Sequence, residues 1–521
     1  MRLTQEQKAV LGSSGNLKIH AVAGSGKTST LIEYARHQGN GRRVLYLAFN
    51  RSVKVEAQKR FAEEKLGNVQ VETAHSLAWS RIVPSHGYAV RASYKPYEIA
   101  DILKLKPRRK DPITTISICG HIGKLISLFC NQAAQKVADL DYPSFISEPR
   151  SRNFVQMHQD KIVDGARKLL AKMNSAQIPV SHEFYLKKYQ LLKPQLNCDI
   201  VLFDEGQDAS PVMLDVFLNQ ERARKIIVGD IHQQIYSWRY AINALKRVGF
   251  KDYSLTTSFR FPQEIADLAR EVLRWKKYLG NPQDITINGK GRVLKRASSR
   301  AVIARTNLSL VRRAIEFTSS RRRCRIYFEG NLNSYMFAAE GASLWDVLNL
   351  YQCKNNLIRD PLIKKMRSMD DLKEYAELSG DTELVTLIEM VNEYGRKLPM
   401  HLKRLKELHV ADEDRCKADM IFSTVHRCKG MEYDSVSLED DFISEKKLQR
   451  VEENKDTPVF ELERLNEEIN LLYVAITRSR GILRIPEGLF AESCGAVGTD
   501  VQDSRVVTRR KSRHKVLRKQ R

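Results

Sequence analysis

Several things are scarce in this 521-residue chain, and each shortage removes a class of protein. Its eight cysteines stand singly, at 119, 130, 198, 324, 353, 416, 428 and 494, with no C-x-x-C pair and no Cys/His set at zinc spacing. That excludes a disulfide framework and a structural zinc, and it points to a reducing compartment. The opening "MRLTQEQKAV" carries Glu6 and has no apolar core, so no secretory signal is expected there. A long uncharged apolar run is also missing. The most apolar helical stretch, residues 113–134, is broken by His121, Lys124 and Asn131, which predicts a buried or amphipathic helix in a soluble protein with no membrane partner. No short-period repeat occurs. Acidic residues are the last shortage: 62 Asp and Glu face 87 Lys and Arg, a net charge of +25 and a pI near 9.6. A polyanion is therefore the first partner to expect, nucleic acid ahead of an anionic membrane.

What is present reads as several packed units, because one hydrophobic core stops growing well below this length. A strand-then-helix rhythm runs through "LKIHAVAGSGKT", "STLIEYARHQ", "RRVLYLAFN" and "RSVKVEAQKRFAEEK", with further buried strands in "CDIVLFDEGQD" and "KIIVGD". A second α/β rhythm begins near "RAVIARTNLSLVRRAI" and resumes at "DMIFSTVHRCKGMEYDSVSL" and "INLLYVAITRSRGILRI". Residues 81–194 and 331–411 read as mostly helical insertions. The expected division is 1–80 and 195–262 for the first α/β domain, and 263–330 and 412–490 for the second. The remainder, 491–521, contains the basic run "RVVTRRKSRHKVLRKQR", expected to be disordered and able to touch phosphates.

The stretch "AVAGSGKT", Ala21 to Thr28, follows an apolar strand and opens a helix. Such a loop aims backbone N–H groups and the positive helix end at phosphate oxygens, with Lys27 neutralising the β/γ charge and the Thr28 hydroxyl available to Mg²⁺. The usual first glycine of the pattern is Ala21 here. A phosphate loop also needs a carboxylate for the metal and a group that handles water. "IVLFDEGQD" supplies both, Asp204 for Mg²⁺ and Glu205 to orient or deprotonate the water.

These segments, with "LTQEQ", "LAFNRSVKVEA", "TAHSLAW", "IVGDIHQQIYSWRYA", "LTTSFRFP" and "EEINLLYVAITRSR", stand in the order of the motifs of UvrD/Rep-like superfamily 1 DNA helicases, which the chain resembles from Leu3 to about Leu483. "GDIHQQIYSW" and "SLWDVLNLYQ…DPLIKKM" resemble the helicase part of F-box DNA helicases and their bacterial relatives. No F-box stands ahead of Leu3, so a ubiquitin-ligase role is not carried over. The resemblance implies two RecA-like P-loop domains with 1B-like and 2B-like helical insertions. It also implies ATP and Mg²⁺ as cofactors, and 3′–5′ movement on single-stranded DNA or at junctions with duplex.

By the same resemblance Gln7 reads the adenine edge, while Ala23, Gly24, Ser25, Gly26, Lys27, Thr28 and Ser29 surround the phosphates. Gln233 senses the γ-phosphate, Arg260 and Arg478 stabilise its charge, and Glu432 contacts the ribose. Lys27 and Arg478 come from different α/β halves, so closure around ATP is expected to become motion. Phe49, His75, Tyr236, Trp238, Arg239 and His426 are the implied strand contacts. Tyr236 and Trp238, two apart, would share one face of an extended segment, where unpaired bases stack for about 1–3 kcal/mol each. Tyr240 stands where such proteins often have Gly, and either adds a stacking surface or fills space; Val22 likewise replaces a frequent Gly.

Two other readings remain open at this level. One is a translocase that strips proteins such as recombinase filaments, with little unwinding; the other is a nucleotide-sensing DNA-binding regulator, against which the full set Glu205, Arg260 and Arg478 argues. RNA as the track is not excluded by stacking and phosphate contacts alone. Repair or recombination control is the expected setting, in the cytoplasm of a bacterium or phage host, or in a eukaryotic nucleus.

Overall fold

The computed structural model describes residues 3–105, 112–294, 296–321, 323–336, 342–454 and 456–490; of Pro112 and Arg239 it describes the backbone only. The basic tail and Cys494 lie outside the described residues. The chain folds as two compact units. The first holds the chain up to Ala21, then Gly26–Leu255 and Met336–Gly395; the second holds Val22–Ser25, Thr256–Tyr335 and the chain from Arg396.

In the first unit, strands β1 (Leu17–Ala21), β2 (Val44–Ala48), β3 (Val69–Thr73), β4 (Ile200–Phe203), β5 (Arg224–Gly229) and β6 (Lys251–Leu255) form one sheet in the order β3-β2-β4-β5-β1-β6. Every pairing is parallel, with Leu17 opposite both Ile226 and Lys251 in the register of β1. Strands β2 and β4 are buried along their whole length, as a parallel sheet covered on both faces requires. Leu17, Ile19, Tyr46, Ile200, Leu202, Ile226 and Val228 meet helices Lys27–His37 and Arg51–Glu63 in one core.

Between β3 and β4 lie the helices Ala74–His86, Pro96–Ile102, Pro112–Asn131, Pro149–Asn174 and His182–Leu191. Ile113–Asn131 is long and apolar enough to cross a membrane by length and composition, yet 72% of that window is buried inside the protein. Its apolar content is that of a core helix, as the interruptions at His121 and Lys124 predict. Met336–Gly395, which by chain order interrupts the second sheet, packs in this first unit through helices Leu344–Tyr351, Met369–Ser379 and Thr382–Tyr394.

In the second unit, β7 (Arg300–Ala304), β8 (Ile326–Phe328), β9 (Met420–Thr424), β10 (Tyr433–Leu438) and β11 (Ser479–Arg484) form a parallel sheet ordered β8-β9-β7-β10-β11. Helix Val459–Ile476 is buried from Ile469 onward, which delivers Tyr473 and then Arg478 at its end. Both sheets have the mixed α/β architecture expected.

Candidate nucleotide site and strand-contacting residues

Strand β1 ends at Ala21 and the chain turns into helix Lys27–His37 through Gly24 and Gly26, whose φ values of 74° and 80° lie in the left-handed region open to glycine. Gly26 occupies the helix N-cap and contributes no side-chain cap, so the first N–H groups of this helix are left for an anion. Lys27 and Thr28 open that helix and Ser29 follows in its first turn. Ser25 is buried, and its Oγ has no hydrogen-bond partner among the described residues.

The catalytic carboxylates predicted from "FDEGQD" reach this loop because β4 places Asp204 at its end. The Thr28 Oγ1 hydroxyl donates to Asp204 Oδ2 at 2.9 Å, and Tyr46 OH donates to the same oxygen at 2.5 Å. The Glu205 N–H donates to Asp204 Oδ1 at 2.8 Å. Burial, and then the neighbouring Glu205 charge, push the Asp204 carboxyl above the usual carboxylate range. Lys27 Nζ lies 3.0 Å from Glu205 Oε1 and 3.1 Å from Oε2. Burial pulls the Lys27 ammonium down, but Glu205, Asp230 and Asp204 together more than offset it, so its pKa lies above the ordinary value. Glu205 holds φ 54° and ψ 43°, a left-handed conformation that a residue with a Cβ adopts only when its surroundings impose it.

Sequence reading missed the residues that impose this arrangement. Gln207 Nε2 donates to Glu205 Oε2, and Gln207 Oε1 accepts from the Asp230 N–H at 3.0 Å. Gln233 Nε2 donates to Asp230 Oδ2 at 2.8 Å, so the predicted γ-phosphate sensor is joined through Asp230 and Gln207 to Glu205. Tyr46 also escaped notice. The available signal was a tyrosine in a strand otherwise wholly aliphatic, since a buried phenol requires a partner. Gln7 is buried; its Nε2 donates to Thr30 Oγ1 at 3.0 Å and its Oε1 accepts from the Thr4 N–H at 3.0 Å.

Mg²⁺ fits the donors found here. A hydroxyl and a carboxylate oxygen, on an acidic pair that burial destabilises, are the hard ligands this ion takes when phosphate oxygens and water complete its shell. Thr28 and Asp204 would hold it. Among the described residues no group of three or more His, Cys, Asp or Glu forms an all-protein metal cage.

In the second unit, Arg260, Glu432 and Arg478 come together with Val22–Ser25. Arg260 Nε pairs with Glu432 Oε1 at 2.7 Å, and its Nη1 donates to Thr477 O at 3.1 Å. Arg478, 1% exposed, donates to Val474 O at 3.0 Å and Met431 O at 3.5 Å. Burial, and then the Arg260 charge, push it down to about 10. The cluster thus carries two guanidiniums for one close carboxylate, a receptor short of negative charge. Ala23 N–H donates to Tyr473 OH at 3.3 Å, and the Phe259 N–H donates to Gly24 O at 2.9 Å. A Cβ at Gly24 would stand 2.6 Å from Arg260 Cβ, so only glycine fits.

Of the expected strand contacts, Phe49 and Tyr236 stack with centroids 6.0 Å apart and planes 17° from parallel. Tyr236 and Trp238 do not share one face of an extended segment. Ser237–Arg239 forms a single 3-10 turn, and the two rings meet edge to face at 6.4 Å and 66°. Trp238 is exposed at 58%. The Tyr240 hydroxyl donates to Lys124 O at 3.2 Å. His75 is partly buried with its ring edge-on to Tyr185, and burial holds it below the ordinary histidine pKa. His426 lies in the second unit, in the short helix Val425–Cys428.

Residues 3–246 match the UvrD/REP helicase N-terminal domain, and residues 338–486 match the UvrD-like helicase C-terminal domain. The chain is 29% identical over 515 residues to F-box DNA helicase 1 of Gallus gallus, covering 94% of this chain and 49% of that protein. It is 28% identical over 539 residues to F-box DNA helicase protein 1 of Schizosaccharomyces pombe, covering 95% and 59%. ATP-dependent DNA helicase PcrA of Leuconostoc citreum is 26% identical over 316 residues, covering 55% and 41%. The chain therefore spans about half to three fifths of the length of the first two relatives.

Proposed function

Because the chain carries both domains in order and so belongs to the UvrD-like helicases, we propose that it is an ATP-dependent DNA helicase that translocates 3′–5′ on single-stranded DNA in repair or recombination control. The observation that carries the reading is the convergence of Lys27 and Thr28 on Asp204 and Glu205, 176 to 178 residues away in sequence, at one loop-to-helix junction. In this reading the open N–H groups of helix Lys27–His37 bind the phosphates, and Lys27 exchanges Glu205 for phosphate oxygens. Glu205, released, takes the proton of the attacking water. Thr28 and Asp204 would hold Mg²⁺, which would neutralise charge on the phosphates when bound. Gln233, through Asp230 and Gln207, transmits the state of that water-handling group toward the nearby Tyr236 and Trp238. Trp238 offers the face on which a base stacks. The basic composition supports a phosphate-backboned track.

The test is steady-state ATP hydrolysis with and without single-stranded DNA, and with RNA of the same sequence, followed by unwinding of duplexes with a 3′ or a 5′ tail. Strong stimulation by DNA and unwinding from the 3′ tail are expected. Hydrolysis indifferent to nucleic acid would reject the motor in favour of a nucleotide sensor. DNA-stimulated hydrolysis with displacement of a bound protein filament but no strand separation would assign the protein-stripping activity instead.

A further inference from the structure

The loop that carries Glu432 is exposed from Gly430 to Glu432, and Gly430 holds a φ of 89°. His426 stands just before this loop in helix Val425–Cys428, and β10 begins just after it at Tyr433. Both flanks are fastened to one short segment, Glu329–Tyr335, which follows β8. On the strand side the Tyr433 hydroxyl, fully buried, donates to Glu329 Oε1 at 2.8 Å. On the helix side the Arg427 guanidinium lies 4.1 Å from the centre of the Tyr335 ring. Its Nη1 donates to Ser334 Oγ at 2.6 Å and its Nη2 to Ser334 O at 3.3 Å. Tyr335, also fully buried, closes the link by donating from its hydroxyl to Glu329 O at 2.9 Å.

Glu329 is 3% exposed, and a carboxylate in such a place persists only when donors surround it. Besides Tyr433, Arg415 supplies them: its Nε donates to Oε1 at 3.0 Å, and its Nη2 donates to the same oxygen. The Glu329 N–H donates to Phe422 O at 2.9 Å, which ties the segment to β9, the strand that leads directly into the helix of His426. Apolar packing alone would let the two flanks slide past each other. Directional hydrogen bonds and a planar guanidinium over a ring fix angles as well as distances. Every member of this network belongs to the second unit.

We propose that Glu329, Tyr335 and Arg427 are positioning residues that hold His426 and Glu432 as one piece, so that nucleotide contact at Glu432 sets the affinity of His426 for a single strand. The inference rests on the proposed function, in which Glu432 meets the ribose and His426 meets the strand. Linkage then requires that DNA change nucleotide affinity by the same factor.

The test measures single-stranded DNA affinity of the full chain by fluorescence anisotropy, without nucleotide and with a saturating non-hydrolysable ATP analogue and Mg²⁺. In the wild type the ratio of the two Kd values is expected to differ from one by at least ~fivefold. Tyr433→Phe leaves Arg415 on Glu329 and cuts the strand end of the brace; Arg427→Met cuts the helix end. Each is expected to bring the ratio to within about twofold of one, with nucleotide-free DNA affinity within about threefold of wild type. Arg427→Lys keeps a cation for the Tyr335 ring and is expected to retain more of the ratio than Arg427→Met. A lowered Tm with a wild-type ratio in both variants would show that the network serves stability alone and would overturn the proposal. A wild-type ratio of one would overturn it too, as would a loss of nucleotide-free DNA affinity in both variants. DNA-stimulated ATP hydrolysis, read alongside, tests the motor separately. Absent stimulation with a ratio that collapses in the variants rejects the motor and leaves the brace standing, whereas stimulation with unchanged ratios does the reverse.

Discussion

Replacing Glu205 with Gln separates the ion pair that this side chain makes with Lys27 from the proton transfer proposed for it. Its carboxylate is the close counter-charge of Lys27, with both oxygens near 3 Å from Nζ, and in the proposed function it is also the group that accepts a proton from water. At an effective dielectric of ~20, a pair at that distance interacts by about 5 kcal/mol, most of which desolvation of the two charges offsets. Glutamine removes this competitor for Lys27 and also removes one negative charge from the site proposed to take a triphosphate. Nucleotide affinity is therefore expected to hold or to tighten by up to ~tenfold, equivalent to about 1.4 kcal/mol. Hydrolysis loses its base, and a drop in kcat of ~10²–10⁴ follows, about 3–5 kcal/mol of barrier. Titration with a fluorescent ATP analogue gives the first quantity, and phosphate release at saturating ATP and single-stranded DNA gives the second. Retention of kcat within tenfold would show that Glu205 does not handle the proton. A tenfold loss of nucleotide affinity would show that the ion pair with Lys27 is a scaffold rather than an exchangeable contact.

Tyr46→Phe removes a hydrogen bond to a buried carboxylate and is expected to lower stability by about 1.5–3 kcal/mol, read from denaturant midpoints; an unchanged midpoint would show that Thr28 and the Glu205 N–H satisfy Asp204 without it. His121 is pushed down to about 4 by burial, so the unfolded chain, with an ordinary pKa near 6.5, binds more protons between those values. Its contribution is complete above about pH 6.5 and is lost as pH falls toward 4, up to about 3 kcal/mol. His121→Asn should flatten the pH dependence of stability over that window, and equal slopes in the two proteins would refute the assignment. Gly24→Ala places a methyl 2.6 Å from Arg260 Cβ at a backbone φ of 74°, so ATP binding should fall by more than tenfold in the fluorescence titration; wild-type affinity would show that the loop adapts freely.

The site was legible where the chemistry is carried by consecutive residues. "AGSGKT" requires left-handed glycines before a helix, and "LFDEGQD" requires a buried strand ending in carboxylates, so Lys27, Thr28, Asp204 and Glu205 could be named from local pattern alone. Tyr46, Gln207 and Asp230 could not. Their roles come from hydroxyl and amide directions set by neighbouring parallel strands, and no spacing along the chain encodes those. The face-sharing expected of Tyr236 and Trp238 failed for a related reason: a 3-10 turn replaces the extended segment, and period-two reasoning holds only in strands.

The sequence by itself determined the two parallel α/β sheets, the phosphate loop with its carboxylates, and a helical character for both insertions. Those properties follow from hydrophobic period, glycine placement and motif order, all local along the chain. Tertiary structure alone decided that Met336–Gly395 folds onto the first unit and that His121 and Lys124 cap its helix. It also decided that the Tyr240 hydroxyl donates to Lys124 O. These are pairings of hydrogen-bond donors and carbonyls more than a hundred residues apart, and their partners are chosen by burial in three dimensions rather than by any pattern a single segment can display.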